Sequence, residues 1–251
     1  MQIPTIFSIL SWEYEAMIIQ IFDRAVRLME KASVKGDFVE FGVYRGNGIV
    51  NITKLAKKLG KIKFYGFDSF SGMPPTDIPL KGNLAHDYRE GSFSDISLDS
   101  VKKFLKDNNT EATLTKAVFK NLKPLSHYGI GKIRFAHIDA DIYEGYRDAL
   151  KLLTPHLQVG TVIVFDEFTA PSDYRYQGIR QHSVRAIREW EKKTKLNMHL
   201  IRFKYTVGLC VIVDEEYLKK YGDFIESLRA DNIVQSLSDT AYQILHKANL
   251  L

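Results

Sequence analysis

The sequence predicts an α/β fold: one seven-stranded, mostly parallel sheet with helices on both faces and an antiparallel hairpin at its end. Three observations support this prediction. Short runs rich in β-branched and aromatic residues alternate with stretches of helical periodicity along the 251-residue chain. The central runs are apolar almost throughout, as in parallel strands that are covered on both faces. The last two runs are separated only by residues 204–206, too few for the crossover helix that a parallel connection needs.

Seven segments have the length and composition of strands. They are residues 37–43, 63–68, 112–117, 133–139, 161–167, 198–203 and 207–213. We expect the first five to be parallel and the last two to form the hairpin. Five parallel strands followed by a hairpin make up the Rossmann-like, seven-stranded plan that is typical of class I methyltransferases, which use S-adenosylmethionine.

Helices are predicted before, between and after these strands. The first, at about residues 13–32, has an amphipathic stripe that includes Ile18, Ile21 and Phe22. The others lie near residues 48–59, 99–106, 144–153, 179–193 and 215–250, and the last of these is a C-terminal extension suited to packing or oligomerisation. No repeat or low-complexity linker divides the chain, so we expect a single domain over residues 1–251.

Two long segments without a helical or strand pattern follow the carboxyl ends of strands, at about residues 69–98 and 168–179. Long loops in a compact α/β domain are usually lids or binding loops. Open parallel sheets place their ligands at this edge. We therefore expect the ligand site there.

The composition is that of an ordinary globular protein with a modest charge. It is 45% hydrophobic and 26% charged, and its net charge of +5 is spread over helices. Such a spread is typical of solvated helix faces and not of a nucleic-acid-binding stripe. Cys210, the single cysteine, lies in an apolar run, which excludes an internal disulfide and fits a reducing compartment. We find no apolar stretch near the roughly 20 residues of a membrane span and no secretory signal pattern, so we expect a cytoplasmic protein.

A glycine-rich turn follows the first predicted strand. In VEFGVYRGNGI the glycines are Gly42, Gly46 and Gly48, with the spacing G-x-x-x-G-x-G rather than the dinucleotide-binding G-x-G-x-x-G. Glycines there let the backbone turn tightly and approach a ligand closely. Glu40 is separated from Gly42 by one residue, and its position makes the segment look like the first motif of S-adenosylmethionine enzymes. A turn of this kind also occurs as a purely structural feature.

Asp68 ends the second predicted strand, about twenty residues beyond the glycines. A carboxylate at this point is suited to accept both hydroxyl hydrogens of a ribose, in a nicotinamide cofactor or in S-adenosylmethionine alike. The alternative is a helix cap. The segment that follows, SFSGMPP, is rich in turn residues and has no helical pattern, which weakens that alternative.

Four carboxylates follow the fourth and fifth predicted strands: Asp139, Asp141, Asp166 and Glu167. These strands should be neighbours, and residues two apart on a strand point the same way, so we expect the four side chains to face one site. Without lysine or arginine partners they would repel one another and raise one another's pKa. A divalent cation removes this cost, and all-oxygen ligands favour Mg²⁺, Ca²⁺ or Mn²⁺ over Zn²⁺. The alternative is that they are capping and turn residues in separate places.

Five motifs together resemble one family. GDFVEFGVYRG, FYGFDSFSGMP, GSFS, HIDADIYEG and IVFDEF, spread in this order over about residues 36–187, look like the macrocin O-methyltransferase family. Members of that family methylate sugar hydroxyls on antibiotics such as macrolides and novobiocin. The resemblance implies S-adenosylmethionine and Mg²⁺ (or Mn²⁺) as cofactors and a small hydroxylated acceptor, most simply a glycosyl unit.

The resemblance also implies roles for single residues. Asp139 matches a metal ligand and Asp141 the general base, while Asp166 and Glu167 match the remaining metal ligands. In several relatives the pair that corresponds to Asp166 and Glu167 is two aspartates, so the second ligand of this chain has a longer side chain. Further positions match residues that contact the cofactor, the last three less closely than the first three: Glu40, Gly42, Asp68, Gly46, Ser69 and Ser92.

The chemistry follows from these parts. A cation lowers the pKa of a sugar hydroxyl, and a carboxylate takes its proton as the oxygen attacks the sulfonium methyl group. A cation with two free positions chelates a vicinal diol, and a catechol fits the same geometry. His137 adjoins the cluster and is either a catalytic residue or a hydrogen-bonded core histidine. Relatives tend to associate, and the terminal helices would supply the contacts of a homo-oligomer.

Two readings from other classes remain at this point. A nicotinamide-dependent oxidoreductase shares the glycine turn and Asp68, but it lacks the dinucleotide spacing and has no use for the four carboxylates. A non-catalytic binding protein with the same fold has no physical reason to keep those carboxylates.

Overall fold

The computed structural model describes residues 6–78, 89–168, 181–204 and 206–230. One sheet of seven strands lies at its centre. The strands are β1 Asp37–Phe41, β2 Phe64–Asp68, β3 Thr113–Lys116, β4 Ile133–Ile138, β5 Val162–Phe165, β6 Asn197–Lys204 and β7 Val207–Val213. Their order in the sheet is β3-β2-β1-β4-β5-β7-β6. The first five are parallel and β7 is antiparallel to both of its neighbours, so the predicted sheet and its hairpin are confirmed.

Six helices flank this sheet within the described residues. They are α1 Ile6–Ala32, α2 Asn47–Leu55, α3 Leu98–Asp107, α4 Tyr143–Leu153, α5 Ser183–Lys193 and α6 Glu215–Ala230. One hydrophobic cluster packs α1, α2, α3 and α6 against one face of the sheet. A second cluster packs α4 and α5 against the other face. The described helices cover both faces of the sheet, as predicted, and a cavity lies at the carboxyl ends of the strands.

Several boundaries differ from the prediction. Helix α1 begins at Ile6 and not near residue 13, because the apolar helical spacing continues back along the sequence. Helix α2 ends at Leu55, and a 3-10 turn, Ala56–Leu59, completes the predicted segment. The predicted residues 179–180 of the fifth helix and 231–250 of the C-terminal extension lie outside the described residues, as do 79–88 and 169–179 of the two long loops.

The chain order reverses between β1 and β4, and this crevice positions the site. From β1 the chain proceeds outward to β2 and β3, and β4 then lies on the other side of β1. Open α/β sheets bind their ligands at the carboxyl ends of the strands beside such a reversal. Both predicted motifs, the glycine turn after β1 and the carboxylates after β4 and β5, lie at this edge.

Two further expectations concern single features. Cys210 is a buried free thiol in β7, as predicted. Among the described helices, none combines the length and the apolarity that crossing a bilayer requires.

Candidate active site

Gly42 brings the ends of β1 and β4 into direct backbone contact. Its φ is +88°, and a Cβ added there would stand 1.7 Å from the carbonyl oxygen of Asp139. The Asp139 amide donates to the carbonyl of Phe41 at 2.8 Å, and the Gly42 amide donates to that of Phe67 at 2.9 Å. Only glycine fits both the backbone conformation and the space. The glycine turn and the first carboxylate are thereby held side by side.

Gly48 makes room for a buried carboxylate. A Cβ at this position would lie 2.1 Å from Oε1 of Glu40. That oxygen is 2.7 Å from Nδ1 of His137, and both side chains are almost fully buried. Burial raises the pKa of Glu40, although the hydrogen bond with His137 opposes this. Oε2 of Glu40 and Nε2 of His137 have no hydrogen-bond partner among the described residues.

His137 lies behind the site rather than in its wall. The ring of Phe22 meets it edge-on, with the centroids 5.2 Å apart. Neither His137 nor Glu40 lines the cavity described below. This position corresponds to the hydrogen-bonded core histidine, the second of the two roles considered for His137.

Gly46 packs against a helix. Its φ is +88°, and a Cβ there would lie 3.2 Å from the side chains of Val101 and Leu105 on α3. The residue is buried and does not line the cavity. In this structure its glycine character serves the turn and the helix packing.

Asp68 organises the glycine turn through backbone hydrogen bonds. Its Oδ2 accepts from the amides of Val43 at 2.8 Å and Tyr44 at 2.9 Å. Its Oδ1 accepts from the amide of Phe70 at 2.7 Å. The described residues that follow, 69–78, contain no helix, so Asp68 is not a helix cap. Asp68 lines the cavity. The amides of Val43 and Tyr44 use both acceptor sites of Oδ2, whereas Oδ1 accepts one amide and retains capacity for a ligand hydroxyl group.

The two serines hold the loop after β2. The hydroxyl of Ser69 donates to the carbonyl of Gly72 at 2.6 Å, and Ser69 lines the cavity. The carbonyl of Ser92 accepts from the amide of Met73 at 2.8 Å, which joins the two ends of this long loop. Ser92 itself is not part of the cavity wall.

Three carboxylates form a compact cluster at the ends of β4 and β5. One oxygen each of Asp139, Asp166 and Glu167 lies within 4.8 Å of the others. Burial, followed by the charge of Asp166, raises the pKa of Asp139 and Glu167 well above the usual range. Burial also raises the pKa of Asp166 itself. Such a set of repelling oxygen ligands fits a hard divalent cation such as Mg²⁺ or Mn²⁺.

Asp141 is separate from this cluster but faces the same cavity. The strand rule that predicted it beside Asp139 does not apply, because β4 ends at Ile138 and Asp141 has a φ of +57°. Burial and then Asp166 raise the pKa of Asp141 to about 7. The four carboxylates therefore divide into three that converge and one that stands apart.

Two tyrosines that the sequence reasoning missed bind the carboxylates after β5. The hydroxyl of Tyr14 on α1 donates to Oδ1 of Asp166. The hydroxyl of Tyr146 on α4 donates to Oε2 of Glu167 at 2.6 Å and accepts from the amide of Glu167 at 3.1 Å. Tyr146 directly follows the motif HIDADIYEG, on the helix that begins within that motif, so its proximity to the site could have been inferred from the sequence. Tyr14 lies 152 residues before Asp166, and no local pattern marks it.

A cavity of about 530 Å³ joins these parts. The predicted site residues that line it are Gly42, Asp68, Ser69, Asp139, Asp141, Asp166 and Glu167. Those outside its wall are Glu40, Gly46, Ser92 and His137. Three non-glycine residues of the wall have a left-handed backbone: Tyr44 (φ 44°), Phe93 (φ 62°) and Asp141. Backbone strain of this kind costs stability and concentrates at functional sites.

Comparisons with known proteins identify the family and the relatives of this chain. The family model described as macrocin-O-methyltransferase (TylF) matches residues 16–232. A curated relative is the 8-demethyl-8-(2,3-dimethoxy-α-L-rhamnosyl)-tetracenomycin-C 4'-O-methyltransferase of Streptomyces olivaceus, 25% identical over 155 residues. That match covers 57% of this chain and only 59% of the relative's length.

Two solved structures share the fold. The O-methyltransferase NovP superimposes with a TM-score of 0.63 at 20% identity, covering 78% of this chain and 79% of its own. The calicheamicin methyltransferase CalS11 gives a TM-score of 0.62 at 19% identity, with 77% of each chain covered. These matches confirm the prediction of a Rossmann-like class I methyltransferase fold. The chain belongs to the macrocin-O-methyltransferase (TylF) family, a family of O-methyltransferases.

Proposed function

We propose that this protein transfers the methyl group of S-adenosylmethionine to a hydroxyl of a sugar or a glycosylated natural product, with the help of Mg²⁺ or Mn²⁺. One observation supports this above all others. The oxygens of Asp139, Asp166 and Glu167 converge within 4.8 Å at the wall of a cavity that also contains Asp68 and the glycine turn. A nucleoside site and a hard-cation site thus share one cavity.

The residues of the donor side have distinct tasks. Gly42 and the carboxylate of Asp68, which accepts hydrogen bonds from backbone amides, would shape the cavity wall for the nucleoside. Ser69 lines the cavity next to Asp68. Oε2 of Glu40 is buried without a partner among the described residues and lies behind the cavity wall, so Glu40 would support the donor side through the glycine turn that packs on it. Gly46 and Ser92 support the turn and the loop that frame this side.

The residues of the acceptor side hold the cation and move the proton. Asp139, Asp166 and Glu167 would hold the cation, which when bound lowers the pKa of the acceptor hydroxyl. Asp141 stands apart from these three and faces the same cavity, so it is the group we assign as the general base. The sheet holds both sides in one frame, which orients the acceptor oxygen toward the sulfonium methyl group.

The described wall of the cavity is strongly negative before a cation and the sulfonium donor bind, which supports an uncharged acceptor. Among the described residues of its wall, the cations Lys120 and Arg147 face eight carboxylates: Asp68, Asp77, Asp139, Asp141, Glu144, Asp148, Asp166 and Glu167. A nucleoside diphosphate sugar would add further negative charge there, whereas a glycosylated aglycone would not. The rhamnosyl acceptor in the name of the Streptomyces olivaceus relative is of the second kind.

A vicinal diol is the acceptor element that we propose. A cation held by three carboxylate oxygens would keep room for two adjacent hydroxyls of the acceptor. The test is a series of mono-deoxy sugar analogues. Removal of the hydroxyl beside the methylated one should reduce turnover, and an unchanged rate would refute chelation. A catechol belongs in the same series, because it presents the same pair of oxygens.

The main experiment measures methyl transfer by mass spectrometry against a panel of glycosides, with EDTA and after Mg²⁺ is restored. We expect the gain of one methyl group, its loss in EDTA and its recovery with Mg²⁺. Calorimetry should show binding of S-adenosylmethionine and not of NAD. Methyl transfer that is unaffected by EDTA would contradict a role for the cation. Binding of NAD but not of S-adenosylmethionine would favour the oxidoreductase hypothesis.

A further inference from the structure

The two carboxylates that follow β5 each have one oxygen occupied by a tyrosine hydroxyl. Tyr14 donates to Oδ1 of Asp166, and Tyr146 donates to Oε2 of Glu167. The tyrosines come from opposite faces of the sheet, because α1 packs on one face and α4 on the other. The pair therefore holds two consecutive side chains from both sides.

The two tyrosines differ in their surroundings. Tyr146 is fully buried, and its hydroxyl also lies 3.0 Å from the carbonyl of Ile138 and accepts from the amide of Glu167. Tyr14 lies at the rim of the cavity, where 41% of the residue is exposed while its hydroxyl reaches Asp166. Tyr14 also precedes residues 16–232, which match the family model, so the match does not account for it.

A hydrogen bond to one oxygen of a carboxylate controls how the carboxylate binds a cation. The occupied oxygen is turned toward the phenol, so that the other oxygen serves as a single ligand atom. Mg²⁺ requires near-octahedral geometry with short bonds of about 2.1 Å and suits single-oxygen carboxylate ligands. Ca²⁺ is larger, takes roughly six to eight oxygens, and is readily bound by both oxygens of one carboxylate.

We propose that Tyr14 and Tyr146 are positioning residues that keep Asp166 and Glu167 as single-oxygen ligands and so make the site prefer Mg²⁺ or Mn²⁺ over Ca²⁺. This rests on the proposed function, because it requires a cation at the three carboxylates. Neither tyrosine is assigned a contact with the acceptor or the methyl donor. Their effect is transmitted through the ligands that they hold.

The test compares cation affinities of the full chain by calorimetry, with Mg²⁺, Mn²⁺ and Ca²⁺ each titrated alone. In Tyr14→Phe we expect the affinity for Mg²⁺ and Mn²⁺ to fall roughly tenfold, as for the loss of other groups that orient a ligand. The affinity for Ca²⁺ should stay the same or rise, because Asp166 is free to use both oxygens. Tyr146→Phe should shift the ratio in the same direction, with thermal unfolding used to check that this buried variant is folded.

Tyr143→Phe is the matched control. Tyr143 lies one turn before Tyr146 on α4, and its hydroxyl also donates to a carboxylate, Oε2 of Glu189 at 2.7 Å, away from the cluster. It should keep the wild-type ratio of affinities. A Tyr14→Phe protein that binds Mg²⁺ and Ca²⁺ with the wild-type ratio overturns the proposal, whatever its activity.

The failure of the proposed function gives a different result. If wild-type protein binds none of the three cations, or if Asp139→Asn leaves their affinities unchanged, no cation occupies the three carboxylates. That outcome overturns the cation-dependent function together with this proposal. Binding that depends on Asp139 but not on Tyr14 or Tyr146 overturns this proposal alone.

Discussion

The two sides of the cavity use the same residue type in opposite ways. On the donor side, the carboxylate of Asp68 accepts three backbone N–H groups and ties the end of β2 to the glycine turn. On the side that we assign to the acceptor, Asp139, Asp166 and Glu167 converge on one another. Burial raises the pKa of all three, and the charge of Asp166 raises the pKa of Asp139 and Glu167 further. A carboxylate with amide partners is a structural anchor. Carboxylates that repel one another are suited to bind a cation.

The largest effect is expected for Asp139→Asn, which removes one charge from the converging group. Loss of a cation ligand should reduce methyl transfer about a thousandfold, since a bound cation supplies several kcal/mol of stabilisation. The affinity for S-adenosylmethionine, measured by calorimetry, should stay close to that of the wild type. Transfer at the wild-type rate would show that the acceptor side works without a cation.

Asp141→Asn separates the proposed general base from the proposed cation ligands. We expect about a hundredfold loss of turnover, within the range for loss of a positioned base. Cation affinity should be preserved, because Asp141 is not part of the cluster. Rates are to be measured at saturating cation and acceptor. Loss of cation binding in this variant would make Asp141 a ligand instead.

Gly48→Ala tests the buried pair behind the donor side. The added Cβ would lie 2.1 Å from Oε1 of Glu40, so the side chain of Glu40 must move and lose its bond with His137. Leaving both groups buried without a partner should lower the free energy of unfolding by about 2 kcal/mol. Urea unfolding measures this. An unchanged midpoint would mean that the pair contributes nothing to stability.

Asp68→Asn is expected to have the smallest effect and only on the donor side. An amide nitrogen cannot accept the hydrogen bonds that Oδ2 accepts from Val43 and Tyr44. We expect about a tenfold weaker affinity for S-adenosylmethionine, the loss of roughly one hydrogen bond to a charged group. The affinity for Mg²⁺ should not change. A change in the affinity for Mg²⁺ would show that the donor side and the cation side of the cavity do not act independently.

Most of the fold could be predicted from the sequence, because its strands are apolar runs with local signals at their ends. The seven strands and the hairpin follow from length, composition and the short separation, residues 204–206, between the last two predicted strands. Helix α1 begins earlier than predicted, because the stripe of Ile18, Ile21 and Phe22 that predicts the helix lies in its central turns. Local periodicity predicts the existence of a helix more accurately than it predicts the residue at which the helix begins.

The site was partly predictable for a related reason. Residues at strand ends, such as Asp68, Asp139 and Asp166, could be assigned to one edge from topology alone. The contact between Glu40 and His137 was also available in principle, since the two are register partners on neighbouring strands. The hydroxyl of Tyr14 on Asp166 was not, because a contact across 152 residues depends on how α1 packs on the finished sheet.

The contact between Gly42 and the carbonyl of Asp139 has a consequence for how the reaction can be tuned. The loop that would cradle the donor and the first residue that would hold the cation share one backbone junction, with no side chain between them. In the proposed reaction, the distance from methyl carbon to acceptor oxygen would therefore depend on main-chain geometry. Exchanging the loops that follow the strands would then change which acceptor binds, while the distance of methyl transfer would still depend on the sheet.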